Sequence, residues 1–116
     1  MFLLEPAFDK VMLPNTSEAV SYQVVSMNDF SFPGRKRTEW IVAADVPSPE
    51  AIKQTATKAA IDLQEKDHAQ VVSIFLVRKP GDQDGLARMS YAVDGKGNSG
   101  EDNWKWNWLP LHESVR

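Results

Sequence analysis

The sequence predicts an α+β domain of ββαββ(β) order, in which a mostly antiparallel sheet carries one helix packed on one face. Three observations predict it. Four runs rich in β-branched and aromatic residues are divided by clusters of Gly, Pro, Asn and Asp. One segment between the second and third runs carries apolar residues at spacings of three and four instead of two. The chain of 116 residues fits a single hydrophobic core. The expected organisation is an N-terminal arm over 1–20, one domain over 21–110 that includes a tryptophan-rich C-terminal segment, and a tail over 111–116.

In the arm, Pro6 and Pro14 break any long helix. Tyr22 to Met27 is the first predicted strand. Asn28 to Arg37 holds loop chemistry, and Thr38 to Ala44 is the second strand, paired antiparallel with the first. A helix start follows at Ser48-Pro49-Glu50: Ser48 caps free amides, Pro49 suits the first helical position, and Glu50 faces the positive end of the helix dipole. Ile52, Ala56, Ala59, Ala60 and Leu63 share one face of that helix, and the small alanines predict a close approach to the sheet.

Val71 to Val77 is apolar at almost every position, the pattern of a central strand covered on both sides. One helix covers one face, so the pattern calls for a second cover: the arm, the C-terminal tryptophans or another subunit. Ala87 to Val93 alternates as a fourth strand with one wetter face, and the helix before the third strand suits a crossover between parallel neighbours. Asn103 to Pro110 alternates three tryptophans, which places all of them on one side if the segment is extended.

Composition narrows the function classes. A hydrophobic share of 42% and a charged share of 25% are those of a globular chain, and the absence of cysteine removes disulfides, thiolate metal sites and a cysteine nucleophile. The expected compartment is the cytoplasm, with no membrane span or secretory signal. A net charge of −3 gives no general attraction to phosphate, so nucleic-acid binding would need a local basic patch: Arg35, Lys36 and Arg37, joined by Arg78 and Lys79 if the two loops meet.

Trp104, Trp106 and Trp108, with Trp40 as a fourth, are the candidate binding residues. Indoles bury a large area and keep a donor, so the row suits a partner surface, a sugar or base platform, or a cap over the open face of the sheet. No catalytic residue, metal ligand or cofactor is assigned. Ser73 with His68 or Asp67 lacks a nucleophile elbow, Asp82-Gln83-Asp84-Gly85 lacks the later glutamate of a calcium loop, and His68 and His112 form no ligand-spaced pair.

The first strand at Tyr22, Arg37 leading into Trp40-Ile41-Val42, the helix opened by Ser48-Pro49-Glu50, and Ala87-Arg88-Met89-Ser90-Tyr91 closing on Asp94-Gly95 carry a resemblance over about residues 22–95. In these features the chain resembles a domain family of unknown function found in small bacterial and mobile-element proteins. The resemblance implies the fold and transfers no activity.

The functional expectation is a small non-enzymatic protein-interaction module, acting as a homodimer or by binding a protein partner. The alternatives are a nucleic-acid-associated protein using the basic loop and aromatic strand, and a small ligand-binding protein or hydrolase.

Overall fold

The computed structural model describes residues 14–111. The first 13 residues of the expected arm and residues 112–116 of the expected tail, including His112, lie outside the described residues. Five strands form one sheet in the order of the chain: β1 (Gln23–Asp29), β2 (Arg37–Ala43), β3 (Val71–Val77), β4 (Ala87–Ala92) and β5 (Trp106–Pro110). A single described helix, α1 (Pro49–Asp67), joins β2 to β3. That crossover makes β2 and β3 parallel, while the other three pairings are antiparallel. The domain is the α+β arrangement of the sequence pattern.

Local chemistry fixes the helix ends. The Ser48 hydroxyl accepts from the Ala51 amide at 3.1 Å, Pro49 opens the helix, and the Glu50 carboxylate accepts from the Gln54 side chain at 2.8 Å. His68 closes it in the left-handed conformation at φ 57, with its amide bonded to the Gln64 carbonyl at 2.7 Å. Helix and sheet meet on Ala56, Ala59 and Ala60, all fully buried against Val72, Ile74 and Leu76 of β3. Side chains this small let the helix axis sit close to the strands, so the larger contacts come from Ile52 and Leu63.

The described part of the arm runs beside the helix. The Glu18 amide donates to Gln54, the Val20 amide to the Thr55 hydroxyl, and the Tyr22 hydroxyl to Asp62 at 2.9 Å. Burial and the nearby Asp62 carboxylate both push the Tyr22 hydroxyl above its ordinary range, so it stays protonated and keeps donating. Val20 and Tyr22 thereby extend the apolar layer on the helix side.

The expectation of a central strand dried on both sides needs correction. On the helix side Val72, Ile74 and Leu76 are fully buried, but on the other side only the end residues Val71 and Val77 are, with Ser73 and Phe75 half-buried between them. The tryptophans do not close that side either. Trp40, Trp106 and Trp108 all belong to the helix-side core or pack against it. The reason is register: Trp40, Ile74, Met89 and Trp108 stand opposite one another across four neighbouring strands, so their side chains share a face.

Candidate functional site: the open face of the sheet

One residue away along every strand, the register lines up Asn28, Glu39, Ser73, Ser90 and Asn107, a polar row across all five strands on the face the helix leaves open. Side chains alternate in a strand, so the row follows from residues at odd positions of β2 and β3 and even positions of β4. Its members engage one another. The Ser73 and Ser90 hydroxyls are 2.9 Å apart, and Arg88, two residues before Ser90 on the same face of β4, forms an ion pair with Glu39. Arg88 also lies over the Phe75 ring, with its guanidinium carbon 5.7 Å from the ring centroid.

Over this row lies a groove of about 390 Å³. Glu39, Ser73, Ser90 and Asn107 form its floor, with Arg37, Arg88 and Val71 beside them. Phe30, from the β1–β2 loop, and Trp104, from the segment before β5, stand at its edges with Asn98. Phe30 is 52% exposed.

Trp104 departs from the expectation that all three C-terminal tryptophans share a side. Strand pairing begins only at Trp106, and the bend at Lys105 breaks the alternation, so Trp104 lines the open groove while Trp106 and Trp108 face the core. Trp106 stacks on Tyr91 with ring centroids 4.2 Å apart and planes 11° from parallel. Gly97, at φ 67, lies against the Trp104 indole, where a β-carbon would collide with the Asp102 side chain; the Gly97 amide also donates to the Trp104 carbonyl at 3.0 Å.

The basic loop is spent largely on structure. Arg35 is 7% exposed and forks onto Asp94 with bonds of 2.8 and 3.2 Å, while also donating to the carbonyls of Gly97 and Asn98. The Arg35 guanidinium holds the Asp94 carboxyl down to about 2, and the Asp94 carboxylate in turn raises Arg35. This clamp fixes the 94–100 loop that carries Asn98 to the groove and Gly97 to the Trp104 indole.

Lys36 pairs with Asp67 at 3.1 Å. Arg37 donates through Nε to the Phe30 carbonyl and lies over the Phe32 ring at 4.8 Å. Arg78 donates to the Val46 carbonyl at 2.9 Å. Arg78 and Lys79 follow the C-terminal end of β3, whereas Arg35 to Arg37 precede or begin β2, its parallel neighbour. The two basic groups therefore occupy opposite ends of the sheet, and the fold does not join them.

Of the sequence candidates, the groove gathers Trp104 and Arg37. Trp40 is buried in the core, its indole N–H satisfied by the Thr38 hydroxyl at 3.0 Å. Glu39, Arg88, Ser90 and Asn107 were not singled out as site residues from sequence, and Ser73 was weighed only as a nucleophile and set aside. Each sits at an ordinary polar position of an alternating strand, and only the pairing of strands distant in sequence aligns them. The one local signal was Ser73, the lone polar residue in Val71–Val77. Among the described residues no group of three or more His, Cys, Asp or Glu could hold a metal ion, and no helix is long and apolar enough to cross a membrane.

Comparison with known proteins agrees with this architecture. No curated protein matches the chain. Its structure is similar to the crystal structure of a DUF487 family protein from Desulfovibrio piger, with 30% sequence identity, a TM-score of 0.72 and 78% of this chain covered. The chain spans 62% of the length of that protein. The family model described as a domain of unknown function, DUF4875, matches residues 17–114, which takes in the five described strands, the described helix and the groove. The chain belongs to the DUF4875 family.

Proposed function

We propose that the domain is a non-enzymatic protein-interaction module that pairs with a second copy of itself along the outer edge of β1. The observation that carries this reading is the state of that strand. All seven residues of Gln23–Asp29 are exposed, and β1 is the first strand of the sheet, with no strand on its outer side among the described residues. An edge of this kind presents a row of backbone donors and acceptors ready to extend the sheet. Soluble proteins blunt such edges with charge, and β1 carries one charged residue, Asp29, at its end.

Its side chains add apolar area. Val24, Val25 and Met27 are exposed, and Phe30 and Phe32 continue the apolar surface into the adjoining loop. The irregularity between Val24 and Ser26 bends the strand locally and leaves Met27 to Asp29 as the regular segment for pairing. Antiparallel pairing of β1 with its own copy uses the same patch twice, as a two-fold dimer requires. The cysteine-free sequence suits a reducing compartment, so we place the module in the cytoplasm, and the Desulfovibrio piger neighbour supports a bacterial setting.

Light scattering coupled to size exclusion across a dilution series tests the reading. The expected result is a dimer that dissociates on dilution and that Met27→Lys converts to monomer at every concentration. A wild-type chain that stays monomeric throughout the series would overturn self-pairing.

A further inference from the structure

The groove on the open face shares only Phe30 with the apolar surface of the β1 edge, and its chemistry points to a ligand of a different kind. We propose that it binds an uncharged polyhydroxylated ligand, a short saccharide laid along the Glu39–Ser73–Ser90–Asn107 row with a ring face against Trp104.

Charge balance gives the first reason. Arg88 is neutralised by Glu39, and the Arg37 guanidinium is engaged with Phe32 and the Phe30 carbonyl. The floor residues themselves therefore carry no unpaired charge, and Arg37 beside them is the one groove cation without a carboxylate partner among the described residues. The mixture of those groups is the second reason. A sugar hydroxyl donates and accepts together, and serine hydroxyls, a side-chain amide and a carboxylate answer both demands. The Ser73–Ser90 pair uses one donor between two hydroxyls, which leaves one hydroxyl hydrogen and several lone pairs for the ligand.

Spacing is the third. The four floor residues lie on adjacent strands, so the row repeats about every 4.8 Å over roughly 14 Å, suited to a ligand whose polar groups recur along its length. The aromatic side chains, Phe30 and Trp104, stand at the groove edges, where they can take the C–H face of a ring, while the floor has no flat aromatic platform for a nucleobase. The volume of about 390 Å³ lies at the small end of ligand pockets. Trp104 is held in position before any ligand arrives, because the Arg35–Asp94 clamp fixes the loop on which its indole rests.

The test uses the full chain with glucose, cellobiose, maltotriose and N,N′-diacetylchitobiose, read by tryptophan fluorescence and by saturation-transfer NMR. At least one of the four is expected to give a saturable response at millimolar concentration, weakened about tenfold or more by Trp104→Ala and by Asn107→Ala. Asn107 is exposed, so its variant separates lost binding from lost folding, and Met27→Lys is expected to bind as the wild type does. The proposal is overturned if none of the four gives a saturable response, if both groove variants bind as well as the wild type, or if inorganic phosphate or adenosine monophosphate binds in their place.

Discussion

Two rows of side chains run side by side across this sheet and share the same five strands. One row, Met27, Trp40, Ile74, Met89 and Trp108, is apolar throughout; the next, Asn28, Glu39, Ser73, Ser90 and Asn107, is polar throughout. They differ by one residue along each strand and by the face on which they emerge. From Trp40 to Trp108 the apolar row forms the helix-side core or packs against it, with Ile74 fully buried, while Met27 on the edge strand is 44% exposed. Four of the polar row, Glu39, Ser73, Ser90 and Asn107, line a groove. The contrast separates what holds the domain together from what it shows to other molecules, and it makes the two rows respond differently to substitution.

The largest effect belongs to the buried row. Ile74→Ala removes a fully buried side chain from the middle of the sheet and is expected to cost about 2–5 kcal/mol, read as a lower denaturant midpoint with an unchanged slope. A loss much smaller than this would mean that the helix-covered row does not carry the stability.

The Arg35–Asp94 clamp, which holds the loop bearing Asn98, gives an intermediate effect with a definite pH signature. Asp94 is held down to about 2 in the fold against an ordinary 3.8, chiefly by its bonds to Arg35. A depressed carboxyl contributes its full stability above its unfolded value and loses it as pH falls toward its folded value. The stability curves of the wild type and Asp94→Asn are therefore expected to lie apart above pH 3.8 and to converge as pH drops to about 2, measured by urea unfolding at a series of pH values. Parallel curves across that window would remove the ion pair from the account.

The smallest effect is expected at the centre of the polar row. Ser73→Ala deletes a half-exposed hydroxyl whose partner, Ser90, is also half-exposed and free to bond water; the change should stay within about 0.5 kcal/mol in the same denaturant assay. If Ser73→Ala proved as costly as Ile74→Ala, the two faces would not be the different environments that the register implies.

Much of this was legible in the residues. Ser48-Pro49-Glu50 announced the helix and its cap, and the observed first residue is Pro49. The apolar run fixed the third strand at Val71–Val77, and alternation placed the fourth over Ala87–Ala92, one residue shorter than expected. The first strand begins and ends later than its β-branched centre suggested, because Asn28 and Asp29 pair with Glu39 and Thr38 despite their low strand preference. The candidate site was less legible. The tryptophans drew attention as the largest side chains, yet three of the four are core or packed against it.

By itself, then, the sequence determined the identity and order of the elements, because strand alternation, helical periodicity and capping are encoded within a few consecutive residues. The tertiary structure decided which positions meet. Glu39 and Arg88 are 49 residues apart and Arg35 and Asp94 are 59 apart. Whether Trp104 turns to the groove or the core depends on a bend at Lys105 and on a loop anchored from the far side of the chain. Such contacts follow from strand register and loop closure over long separations, and no local pattern of residues records them.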